Sequence, residues 1–140
     1  MIHLNELQTL LQLLLVLSQY EDFVILYDDF KDELVELIAK SGMEAKFLKR
    51  LGDYLQQLME NGDAAIGPPG APMEHLTGQS PLCSMRFKLG ISNVRILFTC
   101  LDNQVYLLCA FYERQGHRNT EYDAYIPIAR SRLKDLMEGE

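Results

Sequence analysis

The sequence predicts an α+β fold, in which N-terminal helices that include a helical hairpin pack on an antiparallel β-meander with a C-terminal helix. Three observations predict it. Leucine-rich positions recur at three- and four-residue spacing over 4–59, polar and apolar residues alternate over 81–101, and helical spacing returns over 120–137. The 140 residues are enough for a domain with its own core. We divide them into a Leu-rich helix over 1–20 and a domain over 21–140.

The N-terminal half predicts helices around one short strand. Leucines over 4–17 leave the first helix little polar face, so the domain or a partner must cover it. The run 23–27 contains β-formers and predicts a strand. Helical spacing over 30–38 and 47–59 is interrupted at Ser41-Gly42 and stops at Asn61-Gly62. The two short-linked helices are expected to form an antiparallel hairpin.

The C-terminal half predicts the meander. Glycine and proline make 63–73 a loop. Strands follow over 81–88, 94–101 and 104–112, with turn residues between them. The last helix is predicted over about 120–137, with Thr120 and Asp123 as a capping box. Pro127 either kinks this helix or lies in the first turn of a later one.

Composition excludes several functional classes. The net charge is -7, but residues 1–74 hold 5 Lys+Arg against 13 Asp+Glu, whereas residues 75–140 hold 8 against 7. The net acidity therefore weakens the hypothesis of a nucleic-acid partner but does not exclude it.

No run of ~20 apolar residues predicts a membrane span, and the first residues lack the basic region of a secretory signal. Three cysteines without a CxxC pair favour a reduced, cytoplasmic location. No metal-ligand spacing is present, so no cofactor is expected. A zinc site built from His3, His75 and His117 would need three residues far apart in sequence to converge.

Several basic side chains are expected close together on the sheet. Arg86 and Arg95 lie on adjacent predicted strands, and Arg114, His117 and Arg118 follow the third. Cross-strand neighbours lie within a few ångströms when the register allows. Converging guanidinium groups need carboxylates or phosphates. Composition alone favours pairing with Asp or Glu at the sheet edge, and phosphate is the functional alternative.

The order of the elements and their local motifs resemble the RelE/HigB-like toxins of type II toxin–antitoxin systems. A Leu-x-Gly segment precedes a Leu-x-x-x-Arg strand, the next strand contains Arg-Ile-Leu-Phe, and the third contains Leu-Leu-x-x-Phe. The resemblance covers about 30–137 and leaves out the Leu-rich first helix. It is carried by Leu76-Thr77-Gly78, Leu82, Arg86, Val94-Arg95-Ile96-Leu97-Phe98, Leu107-Leu108-Cys109-Ala110-Phe111, Arg114, Ile126, Ala129, Arg132 and Asp135.

The resemblance implies a RelE-like fold and a metal-independent, ribosome-dependent mRNA endonuclease that inhibits translation. It also implies neutralisation by a cognate antitoxin. Arg86 and Arg95 would clamp the scissile phosphate, and Arg114 would contact phosphate or the RNA backbone. His117 would act as the general acid or base, although a solvated loop histidine is an equal interpretation.

Three further side chains are assigned to substrate binding. His75 is a second acid/base candidate, Tyr112 would stack on a base or orient the phosphate, and Arg118 extends the basic turn after the third strand. A packing role for Tyr112 competes closely with stacking.

Two other functions remain open. The net acidity, together with Glu113 where the family has a basic residue, is typical of a non-catalytic interaction protein on the same scaffold. A ParE-like toxin that inhibits DNA gyrase shares the scaffold as well. The oligomeric state is left open, and a homo-oligomer is compatible with the sequence.

Overall fold

The structure is a computed structural model that describes residues 4–39, 41–90, 92–114 and 116–139; for Leu4 it describes the backbone alone. These ranges contain four α-helices and five strands, with a short 3₁₀ helix, Gly62–Ala65, after the third α-helix. Predicted positions that fall outside these ranges, including His3, are not described. The elements are α1 (Leu4–Ser18), β1 (Val24–Leu26), α2 (Phe30–Ile38), α3 (Glu44–Asn61), β2 (Met73–His75), β3 (Cys83–Leu89), β4 (Ser92–Leu101), β5 (Gln104–Glu113) and α4 (Arg118–Glu138).

The sheet is mixed, with the strand order β1-β5-β4-β3-β2. The predicted antiparallel meander is confirmed for β3, β4 and β5. Asp102 and Asn103 have positive φ angles of 51° and 63°, the backbone that a tight two-residue hairpin turn requires. The strand predicted over 23–27 is also confirmed, but β1 pairs in parallel with β5. The sheet is therefore wider than the predicted meander and not purely antiparallel.

The prediction of a loop over 63–73 is wrong at both ends. A 3₁₀ helix occupies Gly62–Ala65, and Met73 begins β2, which pairs antiparallel with β3. Three residues are too few to show alternation, and the preceding glycines and prolines conceal the strand. This short edge strand matters because it places Glu74 beside Ser84 on the sheet.

Helix α1 is the centre of the N-terminal helical layer. It packs against both α2 and α3, and each of them contacts α1 more extensively than it contacts the other. The expected two-helix hairpin is therefore wrong as a description of the packing. Leu13, Leu17 and Tyr20 are buried in the same core as α2, α3 and one face of the sheet. The division at residue 20 stays a prediction.

The two faces of the sheet contact different helices. Alternate residues such as Phe87, Ile96 and Phe98 face α1, α2 and α3 in the larger core. Leu97, Phe111 and their neighbours face α4 in a smaller one. The alternation that predicted the strands thus reflects a sheet covered on both sides.

The last helix starts two residues before its predicted N-terminus. His117 is the N-cap residue and no side chain caps the helix, so the Thr120–Asp123 capping box is wrong. Pro127 lies in the helix interior and is exposed. The first-turn alternative is therefore also wrong. Within the described residues, no helix combines the length and hydropathy needed to cross a bilayer.

Candidate functional site

Arg95 is a buried cation on the face of the sheet that α4 covers. It lies on β4 and is 3% exposed. Its Nε and Nη2 atoms both lie 3.1 Å from Glu113 Oε1, and its Nη1 lies 3.6 Å from Glu74 Oε2. Both carboxylates are buried as well. Arg95 thus lies between two buried acids, the arrangement that makes a buried cation tolerable.

Helix α4 adds a second cation to this group. Arg118 Nη2 lies 2.7 Å from Glu74 Oε1, and its Nη1 lies 3.4 Å from Glu113 Oε2. Two guanidinium groups therefore face two carboxylates, and their formal charges cancel. The Arg118 side chain is 45% exposed, so it covers the three buried members of the group at the surface. We call Glu74, Arg95, Glu113 and Arg118 the buried charge cluster.

Tyr122 forms one wall of the buried charge cluster. The Arg118 guanidinium lies 4.6 Å from the centre of its ring, within cation–π distance. The Tyr122 hydroxyl hydrogen-bonds Ser84 Oγ at 2.8 Å, and burial raises the pKa of Tyr122. Among the described side chains, Glu74 Oε2 and Arg95 Nη1 are buried without a hydrogen bond and face each other across 3.6 Å. The cluster ties α4 to β2, β4 and β5, and the Tyr122–Ser84 hydrogen bond adds a contact with β3.

A second group of cations lies in the open, between α3 and β3. Four basic side chains line a pocket of about 220 Å³, with aromatic and aliphatic residues as its floor, and none of the described carboxylates lines it. Lys46, Arg50 and Lys88 are exposed and Arg86 is half-buried. We call this the basic pocket; its lining residues are Lys46, Phe47, Arg50, Tyr54, Pro72, Arg86, Phe87, Lys88 and Leu89.

The floor of the basic pocket holds its position through buried contacts. Phe47 stacks on Phe87 with ring centres 4.1 Å apart, which joins α3 to β3. The Tyr54 hydroxyl donates a hydrogen bond to the Arg86 carbonyl at 2.7 Å. Burial raises the pKa of Tyr54, although the charges of Arg50 and Arg86 oppose the rise. The Arg86 guanidinium itself makes one long contact, 3.5 Å from Nη1 to the Gly70 carbonyl, which leaves most of its donors available.

The residues predicted to form one catalytic cluster lie in different environments. Arg86 and Arg95 are direct cross-strand partners. Arg86 nevertheless lines the basic pocket, whereas Arg95 lies in the buried charge cluster. Arg114 pairs with Glu121 at 3.0 Å on the surface. His117 is exposed at the N-terminus of α4. The carboxylate pairing that composition favours is thus present at Arg95 and Arg114, and the catalytic assignments stay predictions.

The three residues assigned to substrate binding are also separated. Arg118 belongs to the buried charge cluster. Tyr112 is 40% exposed and borders a shallow groove with Leu89 and Gly90. His75 lies at the opposite edge of the sheet on β2, where its Nδ1 is 3.5 Å from Cys83 Sγ and its Nε2 is 3.8 Å from Asp63.

The Cys83, His75 and Asp63 chain has the order of a nucleophile, a base and an orienting acid. Sequence analysis missed it because β2 was not predicted. Its chemistry is nevertheless unfavourable for a nucleophile. Cys83 is 2% exposed, and burial, with the Asp63 charge as a smaller cause, raises the pKa of its thiol to about 12. A buried neutral thiol is a packing group.

A further ion pair joins α4 to α2. Arg132 makes a bidentate contact with Glu33, with both N···O distances at 2.6 Å, and it lies 4.6 Å from the Tyr27 ring centre. The Glu33 hydrogen bond is the largest cause of the raised pKa of Arg132. Arg132 therefore attaches the last helix to the N-terminal layer, a contact between residues that are 99 positions apart.

Metal and family relationships complete the description of the site. Over the described residues, no three His, Cys, Asp or Glu side chains come close enough to hold a metal ion. Comparisons with protein-family models, with curated proteins and with solved structures found no match for this chain. The function is therefore argued from the residues themselves and from the resemblance described above.

Proposed function

We propose that this chain is an RNA-binding toxin of the RelE/HigB-like type, which acts on mRNA at the ribosome and contacts the RNA backbone through the basic pocket. One observation carries the proposal. Four basic side chains line a pocket with no carboxylate among its lining residues, in a chain whose net charge is -7. A cytoplasmic location and neutralisation by a cognate antitoxin belong to the same proposal.

The chemistry of the basic pocket suits phosphate better than bases. Arg50 and Arg86 offer guanidinium forks that match phosphate oxygens, and Lys46 and Lys88 add mobile point charges. The aromatic rings beneath them are buried in the floor and stack on each other, so they offer no face to a base. We therefore expect contacts along the backbone with little sequence preference.

The acidic remainder of the chain does not exclude this contact. Charges more than ~8 Å apart are largely screened from each other at physiological salt. A local basic surface therefore attracts RNA while the acidic helices repel it. The expected result is binding confined to the basic pocket.

Cleavage needs more than positive charge. The basic pocket can stabilise the negative charge of a pentavalent phosphorane, but its lining includes no histidine or carboxylate among the residues that the structure describes. The endonuclease activity therefore depends on the resemblance, with His117 as the proposed general acid or base. Arg95 stays in the proposal as the residue that pairs with Glu74 and Glu113, the two carboxylates that Arg118 of α4 also binds, so it supports the position of α4 and of His117 at its N-terminus.

The experiment compares purified protein, programmed ribosomes and labelled mRNA across matched variants. Arg50→Ala combined with Arg86→Ala should lower RNA binding and cleavage about tenfold or more, because two phosphate contacts are removed. Lys49→Ala is the matched control, since Lys49 lies on α3 outside the pocket and pairs with Asp53. His117→Ala should stop cleavage and leave binding unchanged. Equal activity of the folded double variant would remove the basic pocket from the proposal.

A second candidate function is a non-catalytic interaction protein. The buried charge cluster favours it, because Arg95 is enclosed between two carboxylates and Arg118 contacts the same two carboxylates. Tight RNA or protein binding with no cleavage of ribosome-bound mRNA would support this candidate. Inhibited DNA supercoiling with intact translation would instead indicate the ParE-like alternative.

A further inference from the structure

The outward side of α1 exposes leucines that the fold does not cover. Four leucines at helical spacing are between 38% and 67% exposed. The opposite side of the same helix is buried through Leu13 and Leu17. We call the exposed set the leucine stripe; it consists of Leu7, Leu11, Leu14 and Leu15.

An acidic groove borders the leucine stripe. It lies between α1 and α2, encloses about 370 Å³ and is lined by Glu6, Leu10, Asp32, Val35 and Glu36. Leu10 of the groove is adjacent to the leucine stripe, because Leu7 and Leu14 are its neighbours one helical turn away in either direction. None of the three lining carboxylates has an ion-pair partner among the described residues. The apolar surface and the unpaired acidic charges are therefore contiguous.

We propose that the leucine stripe and the acidic groove together bind an amphipathic helix of a protein partner, with apolar residues on one side and Lys or Arg along its flank. The spacing of the stripe repeats every turn, which matches the ridges of a packed helix. The basic flank of the partner would lie over Glu6, Asp32 and Glu36. Burial of the leucines supplies affinity, and the charges fix the orientation of the partner.

The charge of this surface favours such a partner over two other occupants. A second copy of the chain, paired through the same face, would bring identical carboxylates together. An anionic bilayer would be repelled by those carboxylates, since interfacial helices bind it through basic residues. The inference does not depend on RNA binding, because α1 and α2 contribute no residue to the basic pocket.

The test uses two synthetic peptides of about 18 residues with leucine at helical spacing. One has lysine at the flanking positions and the other has glutamate there. Fluorescence anisotropy with the full chain should give a Kd for the lysine peptide that is lower by about tenfold or more. Leu11→Gln combined with Leu15→Gln should weaken the lysine peptide by a similar factor. Asp32→Asn combined with Glu36→Gln should reduce its preference over the glutamate peptide.

Controls distinguish specific binding at the leucine stripe and the acidic groove from nonspecific hydrophobic binding. Met59→Gln removes an exposed apolar side chain on α3 and should leave binding unchanged. Chemical denaturation checks that each variant folds. Absent or equal binding of the two peptides overturns the proposal, as does a double leucine variant with normal affinity. The proposal is also overturned if the chain forms a dimer in sedimentation experiments, or binds phosphatidylglycerol vesicles, and either behaviour depends on Leu11 and Leu15.

Discussion

Arg86 and Arg95 face each other across β3 and β4, yet their surroundings differ in almost every physical respect. Arg95 is 3% exposed and lies between two buried carboxylates. Arg86 is half-buried, lines an open pocket with three other cations and makes one long contact to a backbone carbonyl. The comparison teaches that the sequence position of an arginine on a sheet does not decide its role. Its role depends instead on whether neighbouring elements supply carboxylates that pair with it.

The largest expected effect comes from breaking the buried charge cluster. Arg95→Ala leaves Glu74 and Glu113 buried with one fewer cation, and an uncompensated buried charge costs about 3–5 kcal/mol. Urea denaturation should show this loss in the free energy of unfolding. Arg86→Ala, the cross-strand control, should lower it by less than about 1 kcal/mol. Equal losses at the two positions would remove the contrast between them.

A smaller effect should follow from the hydrogen bond that closes the cluster under α4. Tyr122→Phe and Ser84→Ala each leave a buried hydroxyl without its partner, at a cost of about 1–3 kcal/mol. The double variant removes both hydroxyls, so its loss should be smaller than the sum of the single losses. Strictly additive losses in a double-mutant cycle would mean that the two hydroxyls do not interact.

The basic pocket should respond to salt in a way that the buried cluster does not. Each lost phosphate contact makes the dependence of log affinity on log salt shallower by about 0.7 for single-stranded RNA. Arg50→Ala combined with Arg86→Ala should therefore reduce that slope by about 1.4. Titrations of a short RNA at several salt concentrations measure it, with Lys49→Ala as the control. An unchanged slope would mean that these arginines do not touch phosphate.

The smallest effect is expected at the surface pair of Arg114 and Glu121. Exposed ion pairs contribute about 0–1 kcal/mol, so Arg114→Ala should hardly change the free energy of unfolding. This variant separates a structural role from a functional one, because the resemblance assigns Arg114 to RNA. Lost cleavage with unchanged unfolding would support that assignment. A loss of several kcal/mol would show that the pair is structural.

Local sequence patterns predicted most of the helices and strands. Alternation predicted β3 and β4, a nearly continuous apolar run predicted β5, and the Ser41-Gly42 break and the Asn61-Gly62 stop correctly bounded α2 and α3. The parallel pairing of β1 with β5 joins residues about 80 positions apart, such as Val24 and Val105, and no local pattern encodes such a contact. The central position of α1 was missed for the same reason.

The sequence predicted only part of the candidate site. The positions of Arg86 and Arg95 on facing strands were predictable from alternation. Glu113 offered a usable signal, because it falls on the same face of β5 as Phe111, the direct partner of Arg95. Glu74 offered none, since it lies on a three-residue strand after a loop rich in proline and glycine. The acids that neutralise Arg95 therefore became visible only in the folded chain.

The central claim is that the basic pocket, and not the buried charge cluster, contacts RNA. An amide chemical-shift titration of the full chain with a single-stranded RNA of about 12 nucleotides tests it most directly. The account predicts shifts concentrated over 46–54 and 86–89, which fade as salt rises. Shifts concentrated at Glu74, Arg95 and Arg118, or the absence of any shift at low salt, would contradict it.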